Sequence, residues 1–391
     1  MRAEDFESCK VGEIVPIQVD LPGSGERIEH IAYIPLPLPD DITLSTRTYK
    51  LLAEADRAIG RLDAATDHLP RPELLIRPAL YKEAVSTSAL EGTYAPLFDV
   101  LEGDYIEEPR QTAEVREIRN YLKAAVDGVS LIASEPLRFN LVKRLQATLV
   151  AGTRGDGYSA GRLRTTHVFI GEHRSGIRGA RFVPPPPGDR LRRGVDDWDK
   201  WINRQDDIPL LVRVAMAHYQ FETLHPFTDG NGRIGRLTMV LQLISSKALR
   251  YPILNLSAYL EPNKEQYKDL LLQVSQTGEY DPWIQFFAQG VREQAERSRR
   301  RIEDLMACRD HMLESLKAQR AKGVVLELID DLVGHPIITP SHAAALHGVT
   351  YPPANNAIAR LIELGFLEEI TGRSYGRVFA CRRIMEIVDA E

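Results

Sequence analysis

The chain has 391 residues, room for two to three domains at ~150 residues each, so burying a core is no obstacle and disorder is a poor reading. Hydrophobic residues make up 43% and charged residues 27%, which excludes collagen-like, fibrous and low-complexity classes. Lys and Arg number 49 against 55 Asp and Glu, a balance of −6, and this argues against a chain whose main task is coating a polyanion.

Cys9, Cys308 and Cys381 form no CxxC pair, so neither a disulfide framework nor a zinc site is expected and a reducing compartment fits. The N-terminus spreads charges where a signal peptide needs an apolar core, and no apolar run approaches the ~20 residues of a membrane span. The expectation is a cytoplasmic protein without membrane association.

Along the chain, Leu44, Leu51, Ala55, Ala58 and Leu62 recur at helical spacing until His68-Leu69-Pro70-Arg71-Pro72 ends the run. Helices are expected near Pro78–Leu90, Glu114–Ala125 and Leu137–Thr148. Strand-like sequence is scarce in the first 300 residues, except that His167–Gly171 and Ala180–Pro184 flank a segment with Gly and Arg and read as a β-hairpin. Helices then follow at Val195–Asn203, Leu210–Leu224, Gly232–Ser246, Pro262–Gln276 and Pro282–Asp310. The stretch Gln285–Arg320 has few breakers and reads as one long connecting helix with a solvated charged face. Trp283, Phe286 and Phe287 sit at core spacing. Three short helices (Val324–Leu332, Thr339–His347, Pro352–Leu364) and two strands around Thr371–Gly376 complete the chain, in the order of a winged helix-turn-helix.

The run His225-Pro-Phe-Thr-Asp-Gly-Asn-Gly-Arg-Ile-Gly-Arg236 lies between two apolar helices. It is therefore a loop feeding a helix N-terminus, where free N–H donors and a partial positive charge favour anions. Gly230 and Gly232 let the backbone approach a ligand, and the side-chain amide of Asn231 can donate. Arg233 and Arg236 start the helix on nearly the same face, where guanidiniums grip phosphates. Asp229 is a hard oxygen donor suited to Mg²⁺, and His225 accepts a proton near neutral pH. No strand precedes the glycines and no Gly-Lys-Ser/Thr follows them, which rules out the dinucleotide and P-loop patterns. A tight interhelical turn with surface arginines is the bland alternative.

These twelve residues resemble the signature of the Fic (Fic/Doc) family, His-Pro-Phe-x-Asp/Glu-Gly-Asn-Gly-Arg-x-x-Arg, at every fixed position. The resemblance implies a mainly α fold: a Fic helical bundle with a β-hairpin flap, plus a small C-terminal winged helix-turn-helix. It implies an N-terminal region over 1–110, a catalytic core over 111–300, and a linker helix with the winged helix over 301–391. The implied activity is a protein adenylyltransferase that moves AMP from ATP to a Ser, Thr or Tyr hydroxyl of a target protein or of itself, with Mg²⁺. In that reading His225 is the base, Asp229 the metal ligand and Gly230, Asn231 and Gly232 the anion hole. Arg233 and Arg236 are phosphate clamps, with Ile234 and Gly235 in the same nucleotide-binding stretch. The Doc branch, which phosphorylates its target, has lysine where this chain has Gly230.

Upstream, Ser86-Thr-Ser-Ala-Leu-Glu-Gly92 is similar to the family's inhibitory motif, with Thr87 and Glu91 in the fixed places and on one helical face. The resemblance pairs Glu91 with Arg236, blocking the productive pose of the ATP γ-phosphate. It also makes the hairpin a flap that docks the target by strand addition, lined by Ile170, Gly171 and Phe182. Tyr267 becomes an adenine contact, although the second tyrosine of the relatives is Lys268 here. Glu91 positioning a water for AMP removal is a further activity of relatives, and homodimers are common among them.

From Lys317 to Glu391, eight Lys and Arg face nine Asp and Glu, so DNA binding by the C-terminal segment is not favoured. Asn355 or Asn356 could read adenine edges and Arg373 and Arg377 could meet phosphates. The rival function is accordingly a DNA-binding regulator that uses a Fic core as nucleotide sensor.

Overall fold

The chain is described here from a computed structural model over residues 1–20, 27–67, 71, 73–103, 111–171, 173–372 and 376–390. Its helices are α1 (Thr46–Ala64), α2 (Glu73–Leu90), α3 (Leu97–Glu102), α4 (Ala113–Ile132), α5 (Phe139–Val150), α6 (Asp189–Ile202), α7 (Leu210–Leu224), α8 (Asn231–Ser245), α9 (Ser257–Leu260), α10 (Lys264–Thr277), α11 (Asp281–Ala318), α12 (Val324–Gly334), α13 (Pro340–His347), α14 (Tyr351–Glu363) and α15 (Arg382–Asp389). The strands are β1 (Gly12–Asp20), β2 (Arg27–Pro35), β3 (Ile170–Gly171), β4 (Ala180–Phe182), β5 (Ile337–Ile338), β6 (Glu368–Glu369) and β7 (Phe379–Ala380). No helix among the described residues is long and apolar enough to cross a membrane.

The middle of the molecule is the α7–α8 hairpin. Both helices are buried around nearly their whole circumference, as expected of helices apolar on all sides. Trp198 of α6 and Trp283 of α11 are fully buried against α7 and donate their indole N–H groups to Ala217 and Ala215 carbonyls at 2.9 Å. Phe286 and Phe287 are buried beside Trp283, in keeping with their core spacing.

The long helix expected after residue 285 is present, but it is more than a connector. α11 packs along α1 in parallel, with Asp281 Oδ1 accepting from Ser45 N at 2.9 Å, Arg292 Nη1 2.8 Å from Glu54 Oε2 and Arg61 Nη2 3.6 Å from Glu296 Oε1. Its far end buries Leu305, Met312 and Leu316 under the C-terminal elements.

The N-terminal region departs from the expected all-helical character. β1 and β2 pair in antiparallel register from Gly12↔Pro35 to Asp20↔Arg27. Ile17 and Ala32 of this hairpin pack on Ile177, Ala180 and Val183, and Tyr33 N donates to Val183 O at 2.9 Å. The long hairpin therefore backs the short β3–β4 hairpin, whose register pairs Ile170↔Phe182 and Gly171↔Ala180.

α2 begins a turn earlier than periodicity suggested. Pro78 lies inside it, so Leu74 O loses its usual i+4 donor, and burial of Leu75, Ala79 and Leu80 holds the helix instead. At the C-terminus, β5, β7 and β6 form a small antiparallel sheet in that order beside α12, α13 and α14. β5 and α15 were not expected.

Candidate functional site: a cavity between the α7–α8 loop, α2 and the β3–β4 hairpin

α7 stops at His225, which adopts the left-handed conformation (φ 47°, ψ 61°). That conformation costs a non-glycine residue about 1–3 kcal/mol, and the following Pro226 disfavours continuing the helix. Phe227 anchors the loop, buried and stacked on Phe139 with ring centroids 5.6 Å apart. Asn231 then closes it: Oδ1 accepts from Phe227 N at 2.9 Å and Nδ2 donates to Phe227 O at 2.8 Å. The Asn231 amide thus clamps the loop, with one of its two N–H bonds spent on Phe227 O. Gly230 caps α8 at φ 80°, and a Cβ there would meet Leu149 Cδ2 at 3.0 Å.

His225 Nδ1 lies 3.3 Å from Glu222 O. Donation to that carbonyl places the ring proton on Nδ1 and leaves Nε2 an acceptor. Burial first, and then the nearby Arg164 charge, push His225 down to about 4. Sequence reasoning missed Arg164. It is 2% exposed and has carbonyls for partners: Nε donates to His225 O at 2.8 Å, Nη1 to Thr166 O at 3.2 Å, and Nη2 to Pro185 O at 2.6 Å and Leu224 O at 3.3 Å. This fork fixes the end of α7 and the His225 backbone together. A single arginine in an arginine-rich chain carried no signal of this.

Arg236 is buried beside α2. Its Nε donates to Thr87 Oγ1 at 2.7 Å, and Nη2 donates to Thr87 O at 3.0 Å and Glu91 Oε1 at 2.6 Å. Burial raises the Glu91 carboxyl, but the Arg236 charge and hydrogen bond, with Arg233 and His225, outweigh it and hold Glu91 below the usual carboxylate range. Glu91 follows the last residue of α2, and Gly92 at φ 84° turns the chain away. A Cβ on Gly232 would fall on the Glu91 carboxylate, so the close approach of α2 to α8 requires glycine there.

Arg233 behaves differently from Arg236 despite the similar helical face. Its Nη1 donates to Glu117 Oε2 at 3.0 Å on α4, and Glu117 also accepts from Thr93 Oγ1 at 3.0 Å. Asp229 Oδ1 accepts from Gly230 N at 2.7 Å, while Oδ2 lies 3.6 Å from Arg154 Nε. Among the described residues no group of three or more His, Cys, Asp and Glu could hold a metal.

A cavity of about 900 Å³ joins these parts. Glu91, His225, Asp229, Gly230, Asn231, Gly232, Arg236 and Tyr267 line it, with Ile170, Gly171 and Phe182 on the hairpin side. Arg233, Ile234 and Gly235 are not part of its wall: Ile234 is fully buried and Gly235 packs against Phe221 and Glu222. Thr87 lies behind Arg236, fully buried. Tyr267 is itself buried and pairs its hydroxyl with His218 Nε2 at 2.7 Å. Glu222, also on the wall, has a buried Oε1 without a hydrogen-bond partner, and burial raises its carboxyl to about 7. A lone acid in the apolar run Leu210–Leu224 was its sequence signal.

Known proteins resemble this chain in sequence and in fold. Residues 49–130 match the Fic/DOC family N-terminal domain and residues 136–243 match the Fic/DOC family domain. The chain is 27% identical over 261 residues to protein adenylyltransferase fic-1 of Caenorhabditis elegans, covering 63% of this chain and 48% of that protein. It is 30% identical over 267 residues to protein adenylyltransferase Fic of Drosophila grimshawi, again 63% and 48%. The chain thus spans about half the length of these curated relatives. Among solved structures, a Fic family protein from Desulfovibrio desulfuricans G20 superposes with a TM-score of 0.56 at 21% identity, covering 88% of this chain and 98% of that one. Fic-1 of C. elegans, residues 134–508, gives 0.51 at 22%, covering 66% and 74%. These likenesses establish a mainly helical Fic fold.

Proposed function

We propose that this chain, which belongs to the Fic/DOC family, is a self-inhibited protein adenylyltransferase that moves AMP from ATP onto a hydroxyl side chain of a target protein. The observation that carries the reading is the cavity itself, which holds the unprotonated Nε2 of His225 and, across from it, Arg236 bound by Thr87 and Glu91.

In this reading the target hydroxyl gives its proton to His225 Nε2 while its oxygen bonds the α-phosphorus of ATP. The bond from that phosphorus to the bridging oxygen breaks, and its electrons leave with diphosphate. Such transfers depend on alignment and charge stabilisation more than on covalent help from the protein. The first N–H groups of α8 and the Arg236 guanidinium supply that charge. Asp229 suits Mg²⁺, because a part-exposed carboxylate on the cavity wall fits an ion usually held by one or two carboxylates together with substrate phosphates. When bound, the ion would neutralise polyphosphate charge. Glu91 occupies Arg236 and so opposes the γ-phosphate, which makes the conformation described here the inhibited one. The β3–β4 hairpin, with its edge on the cavity, is read as the target-docking strand.

The ionised Glu91 carboxylate faces the same cavity as His225, and this favours one second activity, hydrolytic removal of AMP from a modified target. The C-terminal elements are read as a winged helix that docks protein in preference to DNA. Asn355 Oδ1 accepts from Arg377 at 3.3 Å, and Arg360 is held by Glu363 at 2.6 Å and by Gln319. Arg373 lies outside the described residues.

Mass spectrometry of Glu91→Gly protein incubated with ATP, with and without cell lysate, tests the assignment. An AMP adduct on Ser, Thr or Tyr is expected. A phosphate adduct, or none on any protein, refutes it.

A further inference from the structure

α2 carries the inhibitory pair at one end and is gripped by the C-terminal elements along the rest of its length. α12 packs on its first turns so closely that a Cβ on Gly334 would meet Leu74 O at 3.0 Å and Leu74 Cα at 3.3 Å. Immediately before α2, Arg71 Nη1 lies 2.8 Å from Asp331 Oδ1 of α12, an aspartate that is 1% exposed. The other oxygen of Asp331 lies 2.6 Å from Nε2 of His347, the last residue of α13. A second grip comes from the chain end: Lys82 Nζ donates to Asp389 O at 2.7 Å. A third runs through the interior, where Arg301 Nη2 donates to Ala390 O at 3.0 Å, Nη1 to Asn255 Oδ1 at 2.9 Å, and Asn255 Nδ2 to Ala79 O of α2 at 2.6 Å. α2 also meets α4, α8 and α9 of the core.

From this we infer that Arg71, Asp331 and Gly334 are positioning residues for Glu91: the C-terminal elements set how firmly α2 presses Thr87 and Glu91 onto Arg236, and loosening that grip releases the inhibition. The inference rests on the proposed adenylyl transfer for its activity readout alone. α2 packs on both the C-terminal elements and the core, so loosening its α12 face weakens the packing that holds residues 79–91 and lets that segment open. His347 of α13 lies beside the same aspartate, which places the α13–α14 surface next to the grip.

Two variants act on the grip by different physics. Gly334→Ala inserts a methyl group against the Leu74 backbone, and Arg71→Ala strips a buried aspartate of its arginine. Each is combined with wild-type Glu91 and with Glu91→Gly. Amide hydrogen exchange is read over residues 79–91 and adenylyl transfer is read from labelled ATP. The expected result is faster exchange in that segment in both variants, and a rise in transfer within the range of ~5- to 150-fold typical of coupled sites that vanishes in the Glu91→Gly background. A residue needed only for folding would lower transfer in both backgrounds. Unchanged exchange in both variants overturns the inference whether or not transfer is seen. Equal effects with and without Glu91 overturn it as well, because the residues would then not act through that side chain. If Glu91→Gly protein transfers no AMP at all, the proposed activity fails and the exchange data alone decide the grip.

Discussion

Thr87→Val removes one acceptor from the Arg236 guanidinium and almost nothing else. Thr87 is fully buried, valine has nearly its shape, and the backbone bond from Arg236 Nη2 to Thr87 O at 3.0 Å survives. What is lost is the 2.7 Å bond from Arg236 Nε to Oγ1, leaving a buried charged donor without a partner. A hydrogen bond to a charged group is worth about 1.5–3 kcal/mol, and every 1.4 kcal/mol is about tenfold in an equilibrium. If that bond exists only while α2 holds Arg236, the ratio of inhibited to active protein falls roughly ten- to a hundredfold. The initial rate of AMP incorporation should rise by up to that factor, with the Glu91→Gly rate as ceiling. The assay is incorporation from α-labelled ATP at saturating nucleotide, with thermal denaturation as control. A rate equal to wild type, in protein whose Tm is also that of wild type, would refute the claim that Thr87 helps to hold Arg236 away from nucleotide.

Two further outcomes follow from buried charges. Arg164→Lys keeps the charge but loses the fork, and Arg164→Met loses both. Each should lower Tm, because orphaned carbonyls cost about 1–3 kcal/mol apiece, partly offset in Met by relief of the burial that brings Arg164 down to about 10. Only Arg164→Met should raise the His225 titration midpoint above about 4, a shift that NMR of the imidazole reports, and an unmoved midpoint removes Arg164 from that role. Glu83, buried on α2 with Ser257 N at 3.1 Å, is raised by burial to about 7, against the lowering effect of Ser257 and Arg236. The folded protein therefore holds a proton that the unfolded chain sheds near pH 4.5. This contribution is fully present below pH 4.5 and is lost as pH rises to about 7, a change of about 3 kcal/mol. Glu83→Gln should flatten denaturant stability across that window, and an unchanged slope would contradict the assignment.

The helices were legible because their apolar periodicity is local, and the α7–α8 loop because its residue types each have one obvious use. The same logic placed Thr87 and Glu91 on one face, and the structure sets that face against Arg236. It failed wherever a partner lies far along the chain. Arg233 and Arg236 look equivalent in sequence, yet Glu117 on α4 claims the first and α2 the second. The clamp role of Asn231 was not legible because its bonds to Phe227 depend on the loop closing on itself. β1 and β2 are not legible in the sequence because polar and apolar residues alternate only over Ile17–Asp20, Pro16 interrupts the first strand, and pairing with Arg27–Pro35 stabilises it. Arg164 could not be told from a surface arginine, since its carbonyl partners belong to three separate turns of chain.

The most direct test of the central claim compares initial rates of AMP incorporation from α-labelled ATP for wild-type protein, Glu91→Gly, and Glu91→Gly combined with His225→Ala. The account predicts a low rate, a high rate and no detectable rate, in that order. A Glu91→Gly rate no higher than wild type, or activity that survives loss of His225, would contradict it.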